Sequence, residues 1–124
     1  MLNKFSHAFH IPGTLSAAIY LAFPVPSDCI LTHIGAVASN ATDATFTVGT
    51  SSDTDGILTD GTVGQSYVPD EFELADFDGA LLTDAGKEYP RLEDGDVVRI
   101  AIDHDGDAGT AAQNVTLVLT FCEG

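Results

Sequence analysis

Positive charge is what this chain has least of. Four Lys+Arg stand against 19 Asp+Glu in 124 residues, a formal net charge of −15. A surface of that sign repels phosphate backbones and anionic headgroups, which argues against nucleic-acid binding and against docking on anionic membranes. Long apolar runs are also missing, none reaching the ~18–20 residues that a membrane-spanning helix requires. Tryptophan is absent and tyrosine occurs only three times, as Tyr20, Tyr67 and Tyr89, so aromatic platforms for a sugar ring are few. The two cysteines, Cys29 and Cys122, are too sparse for a disulfide scaffold and lack CxxC spacing. They read as two small buried hydrophobes, a bridge being the alternative that an oxidising compartment would allow.

Signatures of catalysis and targeting are missing as well. There is no GxSxG elbow and no GxGxxG, and Gly86-Lys87 lacks both the P-loop spacing and a following Ser or Thr. The chain is therefore expected not to be an enzyme. Lys4 followed by the apolar stretch from Leu15 to Phe23 superficially resembles a secretion signal. His7, His10, Pro12 and Gly13 interrupt it, however, and no small-x-small site follows Pro24-Val25-Pro26. The expectation is a mature chain that starts at Met1.

What is present is a globular composition. At 44% hydrophobic residues the chain is not a disordered acidic tail. Its length suits one domain that buries about two-thirds of the surface its unfolded form exposes. The acid is unevenly distributed. Residues 1–52 hold Lys4 against Asp28 and Asp43, a net of −1, while residues 53–124 hold 17 acids against Lys87, Arg91 and Arg99, a net of −14. Two readings follow: a solvated acidic face, or a two-sided protein with a near-neutral docking side and an acidic outer side.

Period-two patterns dominate the chain. Ala17, Ile19, Leu21, Phe23 and Val25 share one strand face, and Pro24 and Pro26 confine the end of that strand to an edge or a loop. Strands are predicted over Cys29–Ala38 and over Ala44–Thr50, with the turn cluster 39–43 between them. Residues 49–64 read as loop with at most a short strand at Ile57-Leu58, and a short strand is possible over 65–69. Asp70 with Glu73 three residues on suggests a capped helical turn, and residues 71–77 fit helix and strand equally. Val98, Ile100 and Ile102 mark one further strand; Val115, Leu117, Leu119 and Phe121 mark a closing strand apolar enough to be central. Ile57-Leu58-Thr59-Asp60-Gly61 is echoed by Leu81-Leu82-Thr83-Asp84-Ala85, too briefly to be a repeat. The expected fold is all-β, an antiparallel β-sandwich of jelly-roll-like type with seven to eight short strands and little or no helix.

Candidate site residues fall in two places. Phe5, Phe9 and Ile11 lie on one side of residues 1–13 if that segment is extended. The segment is either a first edge strand or an arm that lays these side chains on a partner, ahead of a single domain over 14–124. Acidic glycine-containing loops at Asp53-Thr54-Asp55-Gly56 and at Asp103-His104-Asp105-Gly106-Asp107 are calcium candidates, with Asp103, Asp105 and Asp107 favoured. Neither loop matches the EF-hand register, and Asp-Gly turns account for both, so no cofactor is expected. His7 and His10 are three apart and face opposite ways on a strand, so they cannot share a metal. His33 is placed on the face of Leu31, and His104 in an acidic turn with no nucleophile beside it. Asn40-Ala41-Thr42 and Asn114-Val115-Thr116 match the glycosylation sequon.

The run Phe46-Thr47-Val48-Gly49-Thr50 followed by Asp53-x-Asp55-Gly56-Ile57-Leu58 resembles small capsid decoration (cement) proteins of tailed bacteriophages. So does the ending Leu92-x-x-Gly95-Asp96-x-Val98-x-Ile100-x-Ile102-Asp103, then Val115-x-Leu117-x-Leu119-x-Phe121-x-x-Gly124. The resemblance spans roughly residues 15–124 and is one of layout. It implies a jelly-roll-like sandwich that forms homotrimers on the capsid exterior and bridges neighbouring major capsid subunits, often through an N-terminal arm, after synthesis in the host cytoplasm. It carries no active site to transfer. Other virion sandwiches, such as head fibres or tail components, share the layout. The alternative from a different class is a secreted acidic sandwich that binds calcium or carbohydrate.

Overall fold

A computed structural model describes residues 3–51, 54, 56–73, 76–77, 90–103 and 110–123. Nine strands are formed by these residues: β1 Lys4–Thr14, β2 Ile19–Pro24, β3 Cys29–Val37, β4 Thr45–Thr50, β5 Leu58–Thr62, β6 Asp70–Phe72, β7 Arg91–Leu92, β8 Val97–Asp103 and β9 Gln113–Glu123. One sheet has the order β1-β9-β3-β6, with the short β7 also paired to β3; the other has the order β2-β8-β4-β5. All pairings between these strands are antiparallel. The chain crosses repeatedly from one sheet to the other, and its last strand lies beside its first. This is the jelly-roll arrangement of a β-sandwich.

Alternation decides which residues go inside. Val115, Leu117, Leu119 and Phe121 of β9, Val98, Ile100 and Ile102 of β8, and Phe46 and Val48 of β4 are all buried between the sheets. As the closing strand, β9 is central, between β1 and β3. Pro24 sits in the edge strand β2, where its missing N–H costs no ladder bond. Leu15, Val25, Ile57, Val63, Phe77 and Ala112 plug the ends of the core from the connections.

Three local expectations are corrected. Residues 65–69 turn rather than extend: Val68 N donates to Gln65 O at 2.9 Å, with Ser66 at φ 52° and Tyr67 at φ 67°. That turn returns the chain against β3, so Asp70 enters a strand opposite Ala36 and caps no helix. In β3, the register passes from Leu31↔Phe121 to His33↔Thr120, so Thr32 is an extra residue. This bulge turns His33 away from Leu31, and Ile34 takes the next buried position. His33 Nε2 instead meets Glu71 Oε1 at 3.4 Å on the outer surface.

The division of charge by chain half does not become a division by sheet. Strands from residues 1–52 occur in both sheets, β1 and β3 in one and β2 and β4 in the other. The segment 78–89, with Leu81-Leu82, Gly86-Lys87 and Tyr89, lies outside the described residues.

Candidate functional site

β1 and β2 are edge strands of opposite sheets, and ring contacts bring their inner faces together along one flank of the sandwich. The His7 ring lies flat over Phe23, centroids 4.1 Å apart at 11°. Phe9 meets Phe23 at 5.6 Å and His7 at 4.6 Å, and Phe5 stacks on Phe121 at 5.0 Å. The inner side chains of the central strands are fully buried, whereas Phe5, Phe9, Ile11, Ile19 and Leu21 are only partly so. The sandwich therefore closes incompletely along this flank and leaves a strip of half-covered apolar side chains between β1 and β2.

Between Phe5 and Ile11 the flank carries no acid; Glu123, at the end of β9, meets Asn3 just before it, Asn3 Nδ2 donating to Glu123 Oε2 at 3.2 Å. No Asp or Glu precedes Asp28, and Lys4 is the one formal charge before it. The outer face of the same sheet continues this character: Ser6, Ala8 and His10 of β1 lie beside Thr120, Val118 and Thr116 of β9. The hydroxyls there bond to one another or to histidine, with Ser6 Oγ and Thr120 Oγ1 at 3.3 Å and His10 Nδ1 and Thr116 Oγ1 at 2.7 Å. Asp28, Glu93, Asp94 and Asp96 occupy the connections at one end, and Asp70 and Glu71 belong to β6 on the far side. In a chain of net charge −15, the Phe5–Ile11 stretch can approach an acidic or apolar surface with little repulsion of its own.

Phe5, Phe9 and Ile11 thus come together on the inner face of β1, which is paired along its length with β9. Sequence reasoning missed two members of the strip, His7 and Phe23. His7 shares strand parity with Phe5 and Phe9, a signal that was legible; the approach of Phe23 depends on how two distant strands face each other and was not. His7 and His10 do point to opposite faces. Asp103 closes β8 at the surface, opposite Thr45, while Asp105, Asp107 and His104 lie outside the described residues, as do Asp53 and Asp55. Among the described residues no group of three or more His, Cys, Asp or Glu could hold a metal ion.

The sequon asparagines are both engaged in hydrogen bonds. Asn40 Nδ2 donates to Ala111 O and its Oδ1 accepts from Gln113 N, each at 2.9 Å. Thr42 is buried and donates to Thr110 O at 2.7 Å. Asn114, held at φ 51°, accepts from Gly13 N at 2.8 Å and donates to Ser39 Oγ at 3.0 Å. Tyr20 stands exposed on the outer face of the second sheet, level with Ala101 and Thr47. Cys29 and Cys122 are free thiols. Ile30 is the residue opposite Cys122, so the two cysteines stand on opposite faces of their sheet.

No protein-family model matches the chain, and none of the curated proteins matches it. Among solved structures, it is similar in fold to a chain of the cyanophage Pam1 capsid asymmetric unit. The two are 13% identical with a TM-score of 0.57, the match covering 99% of this chain and 85% of the other.

Proposed function

We propose that this protein is a virion structural component that decorates the exterior of a bacteriophage capsid, binds between major capsid subunits and stabilises the shell without catalysis. The observation that carries the reading is the half-covered strip of Phe5, Phe9 and Ile11, on a stretch of β1 without acid and with Phe9 against the buried Phe23. It lies on a jelly roll similar in fold to a chain of a phage capsid. A half-closed apolar strip loses more water contact when a partner covers it than a closed flank would. The likeness to a chain of a phage capsid supports capsid proteins as the partner class.

The mechanism is mass action. A protein that binds the assembled lattice and not its disassembled subunits stabilises it by RT ln(1 + [L]/Kd), about 2.7 kcal/mol per site at a hundredfold excess over Kd. A homotrimer presenting three such flanks gains further through multivalency. The acids on the other surfaces would keep decorated particles apart in solution. Nothing in this scheme uses nucleic acid, a membrane or a cofactor, calcium included.

The test is direct. Purified protein is mixed with empty heads assembled from the major capsid protein of the same genome and pelleted through a sucrose cushion. Saturable co-pelleting and a raised head-disruption temperature are expected. Protein left in the supernatant at micromolar concentrations would sink the reading.

A further inference from the structure

Among the described residues the two sheets have four edges with no further strand paired to them, and three of these are poor templates for another strand. β6 is three residues long with Asp70 and Glu71, and its neighbour β7 has two residues. β5 has five residues including Asp60 and Gly61, and β2 has six and ends on Pro24. Short length, charge, glycine and proline are the devices by which sheet edges avoid pairing. β1 differs. It runs for 11 residues, and Phe5–Ile11 contains no charged residue, no proline and no glycine.

The register states which backbone groups are open. Glu123 N donates to Asn3 O at 2.8 Å, and the ladder continues as Lys4↔Cys122, Phe5↔Phe121, Ser6↔Thr120 and onward. Hydrogen-bonded pairs alternate along an antiparallel ladder, so Phe5, His7, Phe9 and Ile11 bond to β9. Lys4, Ser6, Ala8 and His10 then direct their N–H and C=O groups outward from the sheet edge. The half-covered strip lies beneath this row.

We infer that β1 is a strand acceptor: an extended segment of the capsid protein adds to its open edge as a further strand. Resting on the decoration reading above, this adds where and how the partner is held. An extended chain satisfies the row of outward N–H and C=O groups. Its alternate side chains cover Phe5, Phe9 and Ile11, so apolar residues are favoured at every second position. The segment need carry no positive charge opposite Phe5–Ile11, which holds no acid; Glu123 lies only at the Asn3 end of the edge.

Ala8 provides the test. Its N–H points to the open edge, so Ala8→Pro deletes one acceptor-site donor and puts a ring in the path of an added strand, while the ladder to β9 keeps every bond. Ala8→Ser retains the N–H. Both variants and the wild type are pelleted with heads, with thermal melts to show that each is folded and light scattering to give the subunit number. The expected result is wild-type pelleting by Ala8→Ser and a loss of affinity of about tenfold or more by Ala8→Pro, the scale of one lost hydrogen bond. Undiminished pelleting of folded Ala8→Pro overturns the inference and leaves decoration standing. So does Ala8→Pro turning a wild-type oligomer into monomers, which would make the occupant a second copy. Should the melts show Ala8→Pro unfolded, Ser6→Pro, at another outward N–H, takes its place with the same two outcomes. Wild-type protein that fails to pellet overturns the decoration reading and the acceptor with it.

Discussion

His7 lies flat on Phe23, the ring centroids 4.1 Å apart at 11°, and this contact joins the edge strand of one sheet to the edge strand of the other. The two residues bear unequal shares of the structure. Phe23 is buried and also meets Phe121 edge-on at 5.9 Å, whereas His7 and Phe9 are half-covered. Phe23→Ala should cost about 3 kcal/mol or more of unfolding free energy. Phe9→Ala should cost about half as much, because part of its ring is already in water. Urea titration of the two variants measures the difference, and equal losses would mean that the flank is closed.

Two glycines answer differently to a methyl group. A Cβ at Gly61 would come 2.7 Å from ring atoms of Phe46 and 2.9 Å from Leu58 Cδ2, both side chains that can shift. A Cβ at Gly64 would instead collide with the Val68 carbonyl oxygen and lie 2.6 Å from Asp70 N, which are backbone. Gly61→Ala is expected to cost about 1–3 kcal/mol, in the range of core overpacking. Gly64→Ala should cost more and lower the yield of folded protein, because the turn that delivers β6 to β3 cannot form as it stands. Thermal melts of the two variants give the ranking.

The same turn shows where the sequence was legible and where it was not. Strands with clean alternation, such as Val98-x-Ile100-x-Ile102 and Val115-x-Leu117-x-Leu119-x-Phe121, were readable because each residue's fate depends on its own sheet face. Residues 65–69 were not, because the turn depends on the close approach of Gly64 to the backbone four to six residues on. The bulge at Thr32 was invisible for a related reason. It exists only relative to Thr120 on another strand, and it reversed the face assigned to His33. In the candidate site, Phe5, Phe9 and Ile11 could be grouped from parity alone. The meeting of Phe9 with Phe23 and the openness of the flank required knowing that β1 and β2 are edges on the same side.

The two thiols should behave differently. Burial pushes the Cys29 thiol above its usual value, and the carboxylates of Asp28, Asp96 and Glu123 push in the same direction, with Arg91 opposing. Cys29 is buried and Cys122 half-exposed on the other face, so one equivalent of thiol should react with Ellman's reagent under native conditions and two after denaturation. The linkage has a definite sign. A thiol whose pKa is raised by folding stabilises the native state fully below the unfolded value of about 8.5, and that stability is lost as pH rises towards the folded value. Cys29→Ala should therefore flatten the fall in stability above about pH 8.5, measured by urea midpoints across that range. An unchanged slope would show that Cys29 does not govern it.

A buried charge separates the flank from the other surfaces as the docking face. Ile11 is half-buried near the end of the β1–β9 ladder, paired with Val115 just before the register shifts. In the free protein, Ile11→Glu can lean its carboxylate into water, so the loss of stability should stay near that of a partly buried aliphatic, about 1–2 kcal/mol. Once a partner covers the flank, the same carboxylate is enclosed without a counter-ion, which costs about 3 kcal/mol or more. Binding to heads should then weaken by a hundredfold or so while the melt shows a folded domain. Ala101→Glu serves as the contrast. Ala101 stands on the outer face of the opposite sheet, between Tyr20 and Thr47, and a glutamate there should leave head binding unchanged. Co-pelleting of both variants reads the comparison. Loss of binding with Ala101→Glu but not with Ile11→Glu would move the docking face to the sheet that carries Tyr20.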